Sequence, residues 1–410
     1  MVAALMPPLS PPPRSVDLAV IGAGVAGCAL AAALRLDGWR GAITLLEIGR
    51  GPGGRCATRR SRRDPDLQID HGAPFFNVSS SPAPRLIAPL SESGWIKPFS
   101  GAIRSLDGEG QIADPIGDGF SDGDLWCGHG SMEELCRGLL AIATEASDAN
   151  APIELQSSTL VRHLEASGQG SSLRWRLRNN AAEILCEARW LVLSGSLLAH
   201  PRCQTVFGWD AVPLQVAAEQ RGEPQLLEAQ RTLAGISAQA SSNLLLTLPA
   251  DTAQPWLQQP WRILQFQESA QQRWGLRRIS LQPLADGRAA VVAESDPSFA
   301  LQHRGVYGSQ SSAAQLLGAR PPADAEEAVL NALEQALHGA LALPTGGADR
   351  QLMRWGAAFP IAPGLPEELT LCGASAVGFC GDAIAGAGFG RVEGALRSAE
   401  ALSAQLKERL

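Results

Sequence analysis

The sequence predicts an α/β protein that contains a doubly wound, Rossmann-like nucleotide-binding domain. Two strand–turn–helix patterns support this fold class, one near each end of the chain. In the first, the aliphatic run at residues 16–21 is typical of a buried parallel strand, and the alanine-rich stretch 28–36 is typical of a helix. The length of 410 residues exceeds what one compact core usually fills, which favours two domains.

A glycine turn joins this first strand to its helix. Its glycines are Gly22, Gly24 and Gly27, in the pattern GxGxxG. The first glycine of such a turn permits the tight bend, the second lets a pyrophosphate approach the backbone, and the third lets helix and strand pack closely. The free N–H groups and positive end of the helix then favour phosphate. We therefore predict that Gly22, Gly24, Ala26 and Gly27 bind the phosphates of a dinucleotide.

The region after the second strand indicates which dinucleotide is bound. This strand ends at Glu47, about 20 residues after the last glycine, where an acidic side chain accepts hydrogen bonds from ribose hydroxyls. A second glycine-rich loop follows at 49–60 and contains Gly53, Gly54 and Arg55. Such a loop can reach the pyrophosphate from the opposite side, with the arginine compensating its charge. An NAD-binding unit has no need of this loop, so the predicted cofactor is FAD.

The C-terminal region repeats the strand–turn–helix pattern. Short strands are predicted at 369–372 and 377–380, and a helix is predicted from about 392 to 406. Gly381 and Asp382 follow the second of these strands directly. A carboxylate at this position can hydrogen-bond a ribityl hydroxyl, so both residues are predicted to contact FAD.

The start of the last helix is a further predicted cofactor contact. Arg391, Val392 and Glu393 begin it, and its positive end can face the flavin N1–C2=O edge, where negative charge collects on reduction. Because an extended FAD needs a cradle at each end, the two patterns support one another. Cys380 lies in a predicted buried strand and no cysteine stands in a flavin-tethering context, so FAD is expected to bind non-covalently.

Composition argues against several other classes of protein. A formal net charge of −7 provides no broad basic surface, which argues against a nucleic-acid partner. The eight cysteines show no metal-type spacing, so we expect reduced thiols, no metal site and a cytoplasmic setting. The uncharged stretch 18–34 is short for a bilayer crossing and contains the glycine turn, so no membrane span is expected. Residues 1–14 are predicted to be a flexible leader rather than a signal peptide.

Five motifs resemble, in order, those of the renalase-like branch of the FAD-dependent amine-oxidase superfamily. They are GRGPGGRCATRR at 49–60, DHGAPFF at 70–76, WCGHGSMEELCRGLL at 126–140, MRWGAAFP at 353–360 and GDAIAGAGFGRVEGALRSA at 381–399. The resemblance implies that Asp70, Gly72 and Ala73 also contact FAD. It covers about half of the chain, and residues 200–345 contain no recognisable motif. Gly356 and Ala357 stand where a large basic and an aromatic residue are expected, which predicts a more open pocket wall.

The resemblance also implies how the domains are arranged. The FAD-binding domain would be discontinuous, and a mostly antiparallel substrate domain of the p-hydroxybenzoate-hydroxylase and amine-oxidase type would be inserted into it. The predicted boundaries are 15–90, 125–200 and 346–410 for the FAD-binding domain, with 91–124 and 201–345 for the substrate domain. Within the latter, Asp324 is predicted to cap a helix with an apolar stripe through Val329, Leu333, Leu337 and Leu341.

The reaction implied by the resemblance is oxidation of a reduced nicotinamide, an isomeric form of NADH or NADPH. A hydride would pass to flavin N5, and oxygen would then reoxidise the flavin and yield hydrogen peroxide. A flat donor needs a planar slot rather than a catalytic base. The candidates for its walls are His71 and Trp355, together with Phe75, Phe76 and Trp126; plain core packing is the alternative for each.

Other functions remain open at this stage. Amine oxidases of the superfamily typically frame the amine with two tyrosines and use a lysine near N5, whereas this chain has one tyrosine, Tyr307, and two lysines, Lys97 and Lys407, neither well placed. This weakens the amine hypothesis without removing it. Desaturation of a polyene and a non-catalytic role as a flavin-binding sensor or partner are further alternatives. The expected partners are a small redox donor and oxygen, and the oligomeric state is left open.

Overall fold

The computed structural model of the chain describes residues 14–61, 63–147, 151–309, 311, 315, 318 and 322–409. No helix among these residues is both long and apolar enough to span a membrane. Most of the predicted leader, residues 1–13, lies outside them. Its last residue, Arg14, is part of the fold, because its carbonyl oxygen accepts a hydrogen bond from the Glu187 N–H at 2.8 Å.

The secondary structure alternates between strands and helices in the first half of the chain and again near its end. The elements up to residue 200 are β1 (Ser15–Ile21), α1 (Val25–Leu36), β2 (Ile43–Leu46), β3 (Thr58–Arg60), β4 (Gln68–Asp70), β5 (Phe76–Val78), α2 (Ile87–Glu92), β6 (Ile96–Pro98), β7 (Ile103–Leu106), β8 (Ile112–Ala113), β9 (Asp124–Gly128), α3 (Glu133–Glu145), β10 (Ile153–Gln156), β11 (His163–Ser167), β12 (Arg174–Arg178) and β13 (Ile184–Leu193). Those after it are α4 (Arg202–Phe207), α5 (Pro213–Arg221), α6 (Pro224–Gly235), β14 (Ala238–Leu248), α7 (Ala250–Leu257), β15 (Ile263–Phe266), α8 (Glu268–Trp274), β16 (Leu276–Pro283), β17 (Ala289–Ser295), α9 (Pro297–Gln302), α10 (Ala323–Leu341), β18 (Asp349–Pro360), β19 (Leu371–Cys372), β20 (Val377–Phe379) and α11 (Val392–Lys407).

The first large sheet forms the Rossmann-like domain. Its parallel strands lie in the order β10–β2–β1–β13–β20, and β11, β12 and β19 extend it with antiparallel pairings. Helices α1, α3 and α11 pack together on one face, and α5 and α6 lie on the other. Leu18 and Val20 of β1 therefore enter one hydrophobic core and Ala19 enters the other. A strand buried on both faces has no polar alternation, which explains the aliphatic run seen in the sequence.

The second large sheet lies beside the first and is mostly antiparallel. Its order is β18–β14–β17–β16–β15–β7–β8, and only the β15–β7 pair is parallel within this sheet. Helix α10 packs on it through Val329, Leu333 and Leu337, as predicted. Asp324 is not its N-cap, because the extended backbone of Pro322 starts the helix at Ala323. Asp324 instead lies in the first turn, where its charge still favours the positive helix end.

The fold class is thus confirmed, but two predicted domain boundaries differ from the observed sheets. Strand 349–360 was assigned to the FAD-binding domain, yet it pairs with β14 along the edge of the second sheet. Residues 201–235 were assigned to the substrate domain, yet α5 and α6 contribute Leu214 and Leu226 to the core of the first sheet. Both differences have one cause: local pattern specifies a strand or helix, while the choice of sheet depends on long-range packing.

Candidate functional site

A long cleft runs between the two sheets, and nearly all of the predicted cofactor segments border it. It contains about 1630 Å³ of empty space, a figure that includes open solvent at its mouth. One end is bordered by Glu47, Thr159 and Leu198 of the Rossmann-like domain. The other end is bordered by Trp355 and Glu294 of the second sheet. The cleft therefore joins the carboxyl edge of the parallel strands to the face of the antiparallel sheet, the usual place for a ligand in open α/β folds.

The N-terminal glycine turn borders this cleft, and its three glycines have different surroundings. Gly22 has φ +103°. A Cβ on Gly27 would lie 2.1 Å from the Gly22 carbonyl oxygen, so this glycine brings helix α1 against β1. A Cβ on Gly24 would have only Gly54 Cα near it, at 3.8 Å, and Gly24 and Ala26 border the cleft. The first and third glycines thus serve the fold, whereas the second leaves room for a ligand.

Glu47 lies at the end of β2 with its carboxylate nearly buried beside the same turn. Its Oε2 accepts a hydrogen bond from the Ala23 N–H at 2.7 Å, and its Oε1 accepts one from the Gly49 N–H at 2.6 Å. Burial raises the pKa of Glu47, and these two hydrogen bonds oppose that rise. The carboxylate is fixed at the rim of the cleft with lone pairs still available, as a contact with ribose hydroxyls requires.

The second glycine loop and the C-terminal motif meet through one ion pair. Arg55 binds Asp382 with both terminal nitrogens, at 2.6 Å and 2.5 Å, and donates to the Ala358 carbonyl oxygen at 2.9 Å. Gly53, Gly54 and Gly381 border the cleft beside this pair. The sequence suggested that Arg55 faces pyrophosphate and Asp382 faces the ribityl chain. The structure brings the two side chains into contact with each other, so Arg55 also fixes the orientation of Asp382.

The start of helix α11 contributes two of its three predicted residues to the cleft. Arg391 and Val392 border it, and Arg391 donates to the Gly119 carbonyl oxygen at 2.7 Å. Glu393 turns away and is fully buried, and it accepts hydrogen bonds from the backbone N–H groups of Ser79 and Ser80 at 3.2 Å and 3.0 Å. The predicted contact between Glu393 and the cofactor is therefore corrected: an acid in the first turn of a helix is used here to secure a neighbouring loop.

Some residues of the DHGAPFF segment border the cleft, whereas others are directed away from it. Gly72 and Ala73 border the cleft, and a Cβ on Gly72 would lie 2.0 Å from the Arg55 carbonyl oxygen. Asp70 does not border it, contrary to the prediction. Its Oδ1 accepts hydrogen bonds from Thr58 Oγ1 at 2.6 Å and from the Met132 N–H at 3.0 Å. Burial raises the pKa of Asp70 to about 6.

The two residues predicted to be catalytic are stacked on each other. The ring centroids of His71 and Trp355 are 5.4 Å apart and the rings are nearly parallel, with an interplanar angle of 12°. Trp355 borders the cleft and donates its Nε1–H to the His71 carbonyl oxygen at 3.1 Å. His71 lies behind it, does not border the cleft, and has its pKa lowered to about 3 by burial and by the charge of Arg59. His71 therefore supports the wall as a neutral ring, and Trp355 forms its surface.

The remaining aromatic candidates also differ in position. Phe75 and Phe76 border the cleft, and Phe75 is stacked on Phe99 with centroids 4.9 Å apart. Trp126 pairs with Phe76 in the three-stranded sheet β5–β9–β6 and packs into the core instead. Trp126 lies directly opposite Phe76 and shares its face of the sheet, so a place on this face does not by itself bring a side chain to the cleft.

Several bordering residues were not found from the sequence. Ser194 directly follows β13, and its Oγ donates to the Gly22 carbonyl oxygen at 2.9 Å. Asn243, Arg278 and Glu294 lie on three adjacent strands of the second sheet. The available signal was a polar residue within an aliphatic strand, such as Asn243 before LLLTL and Glu294 after AVVA. Nothing in the local pattern shows that these three positions face the same space.

The thiols near the cleft are unreactive because they are buried and protonated. Cys56 borders the cleft but is only 2% exposed, and burial raises the pKa of its thiol well above the usual range. Burial likewise raises the pKa of Cys380 to about 12. A thiolate is the nucleophile in covalent attachment, so neither cysteine is disposed to bond a cofactor.

Comparison with known proteins bears on the fold and on part of the sequence. Residues 20–91 match the family model described as NAD(P)-binding Rossmann-like domain. The tRNA 5-methylaminomethyl-2-thiouridine biosynthesis bifunctional protein MnmC of Ralstonia nicotianae is 26% identical over 346 residues, which is 73% of this chain and 49% of that protein. The chain thus spans about half the length of this curated relative.

Solved structures extend the likeness to almost the whole chain. Cyclohexylamine oxidase from Brevibacterium oxydans is 15% identical with a TM-score of 0.58, covering 96% of this chain and 99% of that one. An oxidoreductase from Methanosarcina mazei is 12% identical with a TM-score of 0.59, and the match covers 94% of this chain and 99% of that one. A triple mutant of putrescine oxidase is 12% identical with a TM-score of 0.57, and the match covers 97% of this chain and 100% of that one. Residues 20–91 thus match a Rossmann-like domain, and nearly the whole chain has the fold of these amine oxidases and of this oxidoreductase.

Proposed function

We propose that this chain is an FAD-dependent oxidoreductase, and that the cleft between its two sheets holds one extended FAD molecule. The observation that carries the proposal is the continuity of the cleft. One cleft is bordered by Glu47 and Gly24 of the N-terminal pattern, by the Arg55–Asp382 pair, and by Arg391 at the start of α11. An NAD-binding unit alone would use only the first of these segments.

The residues of the cleft fit the chemistry of FAD. Gly24 and Gly195 border it without neighbours that crowd an added Cβ, so backbone is exposed to a ligand at both strand ends. Helix α1 begins there, and no side chain among the described residues caps its N-terminus, so its N–H groups suit a pyrophosphate. Glu47 suits the adenosine ribose, Asp382 suits the ribityl hydroxyls, and the α11 N-terminus suits the flavin pyrimidine edge.

The donor we propose is a reduced nicotinamide in an isomeric form, NADH-like or NADPH-like. Bound FAD would supply a hydride acceptor, and reoxidation by oxygen, using the transferred hydrogen and one further proton, would give hydrogen peroxide. The chain's own residues provide position and exclude water. Trp355 offers a flat aromatic wall, and His71 behind it is uncharged near neutral pH, so no imidazolium is present there to act as an acid.

The alternative donor is an amine, as the names of cyclohexylamine oxidase and putrescine oxidase indicate for those proteins. Two positions argue against it here. Lys97 and Tyr307 do not border the cleft, so the lysine and tyrosine typical of that chemistry are not supplied by them. Polyene desaturation and a non-catalytic flavin-binding role complete the set of alternatives, and each predicts a different experimental outcome.

The test is anaerobic mixing of the purified, flavin-loaded protein with candidate donors while flavin absorbance is followed. We expect rapid bleaching by isomerised NADH or NADPH and no bleaching by putrescine or cyclohexylamine. Admission of oxygen should restore the absorbance and yield one peroxide for each donor oxidised. The variant Glu187→Gln, which alters an ion pair on the Rossmann-like sheet away from the cleft, serves as the matched control.

Other outcomes would refute separate parts of the proposal. Bleaching by an amine alone would replace the nicotinamide donor with an amine. Bleaching by no donor, in protein that retains FAD, would favour the non-catalytic role. A colourless protein that takes up no FAD under native conditions would contradict the cofactor itself.

A further inference from the structure

The second sheet presents a row of polar side chains to the cleft. Asn243, Glu294, Arg278 and Gln265 are direct cross-strand neighbours on β14, β17, β16 and β15. Residues in one transverse row of a sheet project from the same face. The first three border the main cleft, and Arg278 and Gln265 border a smaller cavity adjoining it. Most of the surrounding strand residues are aliphatic and buried, so this row is unusual within the sheet.

The pair at the centre of the row has an unused acceptor. Arg278 Nη2 donates to Glu294 Oε2 at 2.6 Å. Glu294 Oε1 is buried, and no described residue gives it a hydrogen bond. The side chain of Glu294 is only 5% exposed. A buried acceptor without a donor destabilises the folded protein, so the residue is better explained by a ligand that supplies the missing donor.

Donor capacity lies directly beside this acceptor. A guanidinium carries five N–H groups, and Arg278 uses Nη2 toward Glu294. An acceptor on Glu294 and donors on Arg278 together match a group that has an N–H next to a C=O. Asn243 is committed elsewhere, because it donates to the His71 carbonyl oxygen and accepts from Ser241.

We propose that Glu294 and Arg278 recognise the primary carboxamide of the donor, with the amide N–H on Glu294 Oε1 and the amide oxygen on Arg278. This rests on the proposed function and makes the pair specificity-determining residues for it. A charged amine suits the site less well, because an ammonium group can donate to Glu294 Oε1 but has no acceptor for the N–H groups of Arg278. A carboxylate suits it less well too, because it would face Glu294.

Equilibrium binding to the flavin-loaded protein tests the assignment without turnover. The probes are oxidised NAD, its 3-acetylpyridine analogue, which keeps the C=O but lacks the N–H donors, and its nicotinic acid analogue, which carries a carboxylate. We expect the acetyl and acid forms to bind about tenfold or more weakly than NAD, since each leaves the buried acceptor without a donor. Flavin difference spectra or calorimetry report the Kd values.

The variant Glu294→Gln should change the preference rather than abolish binding. Its amide oxygen would take the bond from Arg278 and its NH₂ would face the ligand, so the acetyl analogue should bind as well as NAD. The control Glu187→Gln alters another cross-strand arginine–glutamate pair, with Arg176, outside the cleft, and should leave both Kd values unchanged.

The outcomes separate this inference from the proposed function. If wild-type protein is bleached by reduced nicotinamides but binds NAD and its acetyl analogue equally, the carboxamide assignment is wrong and the function stands. If discrimination persists unchanged in Glu294→Gln, selectivity lies in other residues and the assignment is again wrong. If no nicotinamide binds or bleaches wild-type protein, the donor class itself fails. The wild-type probe series decides the matter even if the variant does not fold.

Discussion

Gly24 and Gly27 of the first glycine turn have opposite surroundings. Substitutions at these two positions test the proposed FAD-binding site most directly. In Gly24→Ala the new Cβ would meet only Gly54 Cα, at 3.8 Å, and φ at this position is −75°, which alanine adopts readily. The folded protein should accommodate it, with a change in stability of about 0.4–1 kcal/mol or less. The methyl group would stand in the cleft, where we expect a pyrophosphate, so FAD affinity should fall at least tenfold.

The substitution Gly27→Ala should instead lower the stability of the folded protein. The Cβ would lie 2.1 Å from the Gly22 carbonyl oxygen and 2.9 Å from Ser194 Oγ. The first distance is more than about 1 Å short of van der Waals contact, so helix α1 must move away from β1. Overpacking of this kind typically costs about 1–3 kcal/mol, and each kcal/mol lowers Tm by about 2–4 °C in a domain of 150–250 residues.

Thermal melts of flavin-free protein and FAD titrations separate the two effects, since bound FAD would itself raise Tm. Gly235→Ala, at a position with no heavy atom within 4 Å of the added Cβ, is the control. The reasoning is refuted if Gly24→Ala keeps wild-type FAD affinity, or if Gly27→Ala melts at the wild-type temperature.

Three further predictions follow from the same geometry. Glu47→Ala should weaken FAD retention by removing a ribose contact, and unchanged affinity in a flavin titration would contradict the assignment. Because the pKa of Asp70 is raised from 3.8 to about 6, wild-type stability should fall as pH rises from about 4 to about 6, by up to about 3 kcal/mol, and Asp70→Asn should lack this part of the slope in urea unfolding at each pH. Acid precipitation should release all flavin into the supernatant, because the thiols of Cys56 and Cys380 are buried and protonated; colour left in the pellet would indicate a covalent bond.

Local structures that are specified by a short stretch of sequence could be predicted from the sequence alone. Strand β1, the turn at Gly22 and helix α1 are contiguous, and close packing at Gly27 leaves few alternatives to glycine. The C-terminal strands and helix α11 were likewise predicted to within a few residues. Such patterns can be read because their causes, a buried strand, a tight turn and a helix start, act within about 15 residues.

Which of the predicted residues border the cleft depends on long-range packing and could not be predicted from local sequence patterns. Asp70 and Glu393 resemble ligand residues in sequence, yet each carboxylate is used by neighbouring backbone N–H groups. Arg55 and Asp382 are 327 residues apart and form one ion pair. Glu294 and Arg278 are paired across two strands, which gives Glu294 its place at the cleft. Contacts of this range depend on sheet order and register, because a shift of one residue along a strand reverses the face to which every side chain points.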